Sequence, residues 1–184
     1  MLFRSNQAIE ALKGWDFLVT KEAVPPTIYL EWMAQLKKSV LKDIWGENDQ
    51  GVYFSWPRLQ MMLEQIDQNP NGPDQIWLKD IDLQVTESFL SAWNEPSNRF
   101  GSDFQQWIFS RFNKTTFSHL ARLPGFGVKD LPTDGTALTV RANKGDHGPV
   151  YKLVVELGER PKAWTMVPGG TNGDPFSSDY GSDL

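Results

Sequence analysis

Apolar residues recur at steps of three and four through Tyr29, Trp32, Met33, Leu36, Val40 and Ile44. At about 100° per residue such positions form one stripe, so the spacing predicts an amphipathic helix that starts beyond Pro25-Pro26 and ends by Gly46. Lys37, Lys38 and Lys42 near its C-terminal end suit the helix dipole and read as a solvated face. A shorter helix is predicted from Asn6, with Ile9 and Leu12 at i and i+3, closing near Gly14. Ser55 with Pro57 reads as a cap and an early helical proline, followed by the stripe Leu59, Met62, Leu63 and Ile66. Asn69-Pro70-Asn71-Gly72-Pro73 must be a loop. A further helix is expected over residues 82–93, with Val85, Phe89, Ala92 and Trp93 on one side, ended by Glu95-Pro96.

After Gly101 the texture changes. Phe104 and residues 107–117 are aromatic and Thr-containing, and Pro124-Gly125-Phe126-Gly127 turns the chain. Ala137-Leu138-Thr139-Val140-Arg141 alternates as a strand does, and residues 150–157 and 163–167 are two more strand candidates. Gly158-Glu159-Arg160-Pro161 reads as the hairpin turn between the last two. Residues 169–184 are Gly-, Ser- and Asp-rich without periodicity, and read as a loop cut off mid-course. Helices followed by strands, with no regular alternation, predict an α+β fold with antiparallel strands. Residues 6–100 form a mainly helical segment and 101–184 a strand-rich one, within one incomplete domain. Leu2-Phe3-Arg4-Ser5 is also what the end of a common sequencing-library adapter encodes in one frame, so residues 1–5 read as a cloning or assembly scar.

The length of 184 residues, 40% hydrophobic and 22% charged, is that of one globular domain. A net charge of -5 without a basic run disfavours a nucleic-acid partner held through phosphates. No apolar stretch approaches the ~20 residues that cross a bilayer, and the N-terminus lacks the order of a signal peptide, so no membrane partner is expected. The absence of cysteine removes disulfides, zinc-thiolate sites and cysteine nucleophiles, and leaves the compartment open. Eight Trp and eleven Phe read first as core anchors, and alternatively as an exposed aromatic ligand platform.

Candidate chemistry is sparse. Of the two histidines, His119 and His147, either could act as a general base, against the plainer reading of a hydrogen-bonded turn residue. Asp174, Asp179 and Asp183 miss the ligand spacing of a calcium loop and read as solvated acids. Asp80 and Asp82 read as negative charge at a helix start. Gly125-Phe126-Gly127 and Gly169-Gly170-Thr171-Asn172-Gly173 lack the remaining positions of a dinucleotide or phosphate loop. Asn113-Lys114-Thr115 is a formal glycosylation sequon.

Several motifs, taken in order, carry a resemblance. The run from His147-Gly148-Pro149 through Val155-Glu156-Leu157-Gly158, then Val167-Pro168-Gly169-Gly170-Thr171-Asn172-Gly173-Asp174-Pro175 and Ser177-Ser178-Asp179-Tyr180, resembles the C-terminal region of the penicillin acylase (penicillin amidase) family. Ala11-Leu12-Lys13-Gly14-Trp15-Asp16, Phe117-Ser118-His119 and Leu131-Pro132-Thr133-Asp134-Gly135-Thr136 fit that family in order. Thr171-Asn172 stands where the family has Gln-Ser, and Ser178-Asp179 where it has Pro-His, so contacts of that loop are expected to differ.

The resemblance implies the C-terminal piece of the catalytic subunit of an αββα N-terminal-nucleophile hydrolase that cleaves linear amides, β-lactam side chains or acyl-homoserine lactones. It implies no catalytic residue and no metal here, the family's calcium site lying upstream. Ser5-Asn6 looks like the start of a catalytic subunit, but Gln7 to Trp15 match a region far downstream of the nucleophile, so Ser5 is not read as one. Gly169, Gly170, Thr171, Asn172 and Gly173 are expected near the substrate. The implied partners are the missing upstream segments and a small amide substrate, and the implied compartment is periplasmic or extracellular. The competing reading is a standalone Trp-rich ligand-binding or interaction module without catalysis.

Overall fold

In the computed structural model, residues 2–45, 56–69, 80–119, 121–123, 125–146, 148–149, 151–167 and 172–181 are described. Helices α1 (Leu2–Lys13), α2 (Pro25–Trp45), α3 (Trp56–Gln68), α4 (Ile81–Ala92), α5 (Asn94–Phe100) and α6 (Phe109–Phe112) precede strands β1 (Lys114–Phe117), β2 (Val128–Pro132), β3 (Lys152–Glu156) and β4 (Lys162–Met166). The fold is α+β, as the order of patterns predicts, with its strands in antiparallel pairs. The chain divides into two units, residues 1–15 with 24–107 and residues 16–23 with 108–184.

The helical unit is organised along α2. Leu36, Val40 and Leu41 meet Leu59 of α3, with Met33, Met62, Ile81 and Val85 packed around them. Nearer its start, Ile28 meets Ala8 of α1 and Trp107, with Phe89, Trp93 and Phe104 around them. Each fully buried Leu or Ile stabilises by ~1.5–3 kcal/mol, so these two clusters fix the helix packing. Trp32 closes the α2–α4 contact by donating from Nε1 to Val85 O (3.2 Å) and to Ser88 Oγ (3.1 Å).

Two helix limits differ from expectation. α1 starts at Leu2, ahead of Asn6. Pro96 does not stop helix formation: α4 gives way at Trp93 to α5, where Pro96 sits buried in the first turn and its missing N–H is not needed. Gly46, the Ser55 cap and the loop positions Pro70 to Pro73 lie outside the described residues.

In the second unit, residues 16–23 run along the start of α6 and the turn at Gly135. Gly135 N donates to Val19 O (2.8 Å), Ser110 N to Lys21 O (2.7 Å) and Phe109 N to Ala23 O (2.8 Å). β1 and β2 are antiparallel, with Thr115 opposite Leu131 and Phe117 opposite Val128, so one extra residue bulges from β2. Asp130 in that bulge takes a left-handed φ of 56°.

The strand expected at Ala137–Arg141 is not formed. Its threonines close turns instead: Thr139 Oγ1 accepts from Thr136 N (2.9 Å) and donates to Thr136 O (3.0 Å), and Ala142 N donates to Thr139 O (2.9 Å). The predicted hairpin is present as β3 and β4, in register from Lys152 opposite Met166 to Glu156 opposite Lys162.

Candidate functional site

Asn172 and Gly173 are the two residues of the predicted substrate-proximal loop that are described; Gly169, Gly170 and Thr171 lie outside the described residues. From Asn172 onward the chain folds on its own side chains. Asn172 Oδ1 accepts from Asp174 N (2.9 Å), and its Nδ2 donates to Ser177 Oγ (3.0 Å). Asp174 Oδ1 accepts from Phe176 N (3.0 Å), and Ser177 Oγ from Asp179 N (3.2 Å). These are the short side-chain-to-backbone bonds that Asn, Asp and Ser make in turns, and they need no partner element. Phe176, within this stretch, is 93% exposed.

A long-range contact anchors this stretch. The Tyr180 hydroxyl donates to the carbonyl oxygen of Phe126, and the Phe126 ring lies 5.8 Å from the His119 ring. His119 Nδ1 accepts from Ala121 N at 3.2 Å, so His119 is a turn residue after β1. His147 and Asp183 lie outside the described residues, as does Pro124.

Glycines here serve packing. Gly125 has a left-handed φ of 88°, and a Cβ on Gly127 would meet Phe117 O at 2.9 Å. A Cβ on Gly148 would meet the Phe117 ring at 2.9 Å, which explains the glycine ahead of β3. Gly173 has neither a positive φ nor, among the described residues, anything within 4 Å of a Cβ built there.

The other candidates resolve locally. Asp80 caps α4, its side chain accepting from Leu83 N at 3.3 Å, and Asp82 lies in the first turn. Asn113 Nδ2 donates to Gly135 O (3.3 Å). Ser5 lies within α1, not at a free amino end. Asp134, within the motif Leu131 to Thr136, has a role that the motif does not spell out. One carboxylate oxygen accepts from Lys21 N (2.7 Å) and the other from Arg141 Nη1 (2.8 Å), joining residues 16–23 to the turn at Gly135. Among the described residues no three His, Asp or Glu side chains are grouped to hold a metal ion, and no helix is long and apolar enough to cross a membrane.

The tryptophans do not form one open platform among the described residues. Trp107 is 1% exposed and its Nε1 donates to Gly101 O (2.8 Å), with Trp93 packed at 4.4 Å between ring centroids. Trp164 on β4 is the exposed one, at 55%.

Across the whole described chain, then, the site is a self-braced terminal loop tied to the 125–127 turn, with an uncovered hairpin preceding it in sequence. Compared with known families, residues 2–184 match the family model described as Penicillin amidase. No curated protein matches the chain.

Proposed function

From the premise that this chain belongs to the penicillin amidase family, we propose that it is the C-terminal piece of the catalytic subunit of an amidase acting on β-lactam side chains or acyl-homoserine lactones. The family makes the parent a hydrolase of carbon–nitrogen bonds in linear amides. The observation that carries the piece reading is the β3–β4 hairpin. Leu153, Val154 and Val155 run apolar without alternation, as in strands covered on both faces, yet they are 54%, 63% and 45% exposed. Such a hairpin is suited to layers supplied by upstream segments of the parent.

In this reading the chemistry begins elsewhere in the parent. A serine at a new N-terminus attacks the amide carbon, and its own α-amine, with a pKa of ~7.7–8.0, takes the hydroxyl proton and passes it to the leaving amine. Water then cleaves the acyl-serine ester, and backbone and Asn donors hold the oxyanion in both steps. This chain contributes no catalytic residue. Its part is to complete the strand layer and to bring the loop of Gly169, Gly170, Thr171, Asn172 and Gly173 toward the substrate, with Thr171-Asn172 in place of Gln-Ser altering the contacts made there.

The test is hydrolysis of penicillin G and of an N-acyl-homoserine lactone, by the purified chain alone and by the open reading frame of the source genome that contains it. The chain alone is expected to be inert. A frame running upstream to a self-cleavage junction followed by serine is expected to cleave one of the two substrates. Turnover by the 184-residue chain itself, or a native start codon just before that for Asn6, would overturn the reading.

A further inference from the structure

Asn172 is followed by Gly173, and among the described residues no other asparagine precedes a glycine. The amide carbon of an asparagine side chain lies within reach of the backbone nitrogen of the next residue, and attack by that nitrogen closes a five-membered ring. A side chain on the next residue crowds the approach and restricts the backbone angles that allow it, an obstacle that glycine removes. Gly173 has no positive φ, and its N–H donates to no group among the described residues. No hydrogen bond within them has to break before the nitrogen attacks.

Two hydrogen bonds prepare the other side of the reaction. Asp174 N donates to Asn172 Oδ1 at 2.9 Å, the oxygen on which negative charge builds as the ring closes. Asn172 Nδ2 lies 3.0 Å from Ser177 Oγ, which is held in turn by accepting from Asp179 N at 3.2 Å. In the planar amide Nδ2 has no lone pair to offer and donates. In the tetrahedral adduct it becomes a basic amine, and the same hydroxyl can turn and give it a proton. Asn113 and Asn143 have neither feature. Each is followed by lysine, and their Nδ2 groups donate to the carbonyl oxygens of Gly135 (3.3 Å) and Asp134 (2.9 Å), which have no proton to return.

We propose that Asn172 is a self-modification site, which loses its side-chain amide through a cyclic imide formed with Gly173. The bond from Gly173 N to Asn172 Cγ forms and the Cγ–Nδ2 bond breaks. Ser177 passes its hydroxyl proton to the leaving nitrogen and is restored by the proton that Gly173 N gives up, so ammonia departs. Water then opens the imide at either carbonyl, to aspartate or to isoaspartate. The net reaction takes up water and releases ammonia, and needs no oxidant or other reactant. The product carries a carboxylate in place of the donor to Ser177, next in sequence to the carboxylate of Asp174, so conversion removes a brace of the terminal loop. The proposal uses residues 172–179 alone, and rests neither on the amidase reading nor on what covers the hairpin.

The experiment follows the full chain in mildly alkaline buffer, with chymotryptic peptides read by mass spectrometry and their aspartate and isoaspartate forms separated by chromatography. Residue 172 falls between Trp164 and Phe176, so it is read apart from Asn71-Gly72. Conversion at Asn172 is expected to be about tenfold or more faster than at Asn113 or Asn143. Gly173→Ala is expected to slow it about tenfold, by crowding the attacking nitrogen. Ser177→Ala is expected to slow it several-fold, and Ser177→Thr, which keeps the hydroxyl, to retain most of the rate. Circular dichroism establishes that each variant is folded. An Asn172 that keeps its amide, or converts no faster than Asn113 and Asn143, overturns the proposal. So does an unchanged rate in Gly173→Ala or Ser177→Ala, or a threonine variant as slow as the alanine one.

Discussion

The hydroxyl of Tyr180 donates to the backbone carbonyl oxygen of Phe126, a residue 54 positions earlier in the chain. It gives the self-braced terminal loop a fixed point on the turn after β1. Tyr180→Phe keeps the ring and removes the donor, a loss of ~1 kcal/mol by the usual worth of such a bond. Hydrogen exchange should report this locally. Faster exchange is expected at the amides of Phe176, Ser177, Asp179 and Tyr180, with the helical unit unchanged. Equal exchange in the two proteins would mean that the turn bonds of Asn172, Asp174 and Ser177 hold the loop unaided.

Thr27 offers a stabilising change. It is fully buried in the first turn of α2, and its backbone N–H bonds to Val24 O at 3.0 Å, but its Oγ1 has no hydrogen-bond partner among the described residues. A buried polar atom left unpaired costs ~1–3 kcal/mol, and valine has nearly the same shape without it. Thr27→Val is expected to raise stability by ~1 kcal/mol, or about 2–4 °C in melting temperature for a chain of this size. A fall in the urea midpoint would refute the assignment of Thr27 as an unpaired group.

Burial raises the Tyr29 phenol above its ordinary value of 10.0, and the ring lies 5.7 Å from that of Trp15. The sign follows from proton binding. Above the unfolded pKa, the folded state keeps a proton that the unfolded state has lost, so stability falls as pH rises. The contribution of this group is complete below pH 10.0 and disappears as pH climbs through the raised folded value. Tyr29→Phe is expected to flatten the dependence of the denaturation midpoint on pH in that alkaline window, relative to the unaltered protein. Parallel curves for the two proteins would contradict it.

Helices whose stripes are wide and apolar were legible. α2 was marked by Leu36 and Val40, which prove buried, and hydrophobic spacing alone places them on one face. The buried face of α4 was harder, because its deepest residues include Gln84 and Ser88. Those two are polar, and they are buried because they bond across the helix contact. Ser88 receives the Trp32 N–H, and Gln84 Nε2 donates to Asp43. Periodicity scores apolar atoms and cannot register such pairs.

Strand alternation misled at Ala137–Arg141 and was silent at β2. The first segment has the composition of a strand, but Thr136 and Thr139 offer the backbone local partners that outcompete a ladder. The second, Val128-Lys129-Asp130-Leu131-Pro132, carries charge and a bulge, so its period of two is broken. Asp134 is visible in the sequence only as part of a family motif, because its bonding role is fixed by Lys21, 113 positions away, and no short motif encodes that distance. The terminal loop was legible only as composition and family likeness; its bonding follows from Asn, Asp and Ser at close spacing, once the chain is seen to turn there.

Gly173 discriminates between a glycine kept for the fold and one kept for what approaches it. Its φ is not positive, and a Cβ added there meets no heavy atom of the described residues within 4 Å. Alanine therefore fits the backbone, and restricting the unfolded chain favours it by ~0.4–1 kcal/mol. Gly158, in the β3–β4 turn, is equally open and serves as the control. Gly173→Ala and Gly158→Ala are both expected to leave thermal stability equal or slightly raised. On the proposal that this chain is part of an amidase whose Gly169–Gly173 loop faces the substrate, Gly173→Ala is expected to raise that enzyme's KM several-fold while Gly158→Ala leaves it unchanged. Equal KM for both variants would remove the Gly169–Gly173 loop from the substrate's surroundings, and leave the family assignment of the chain intact.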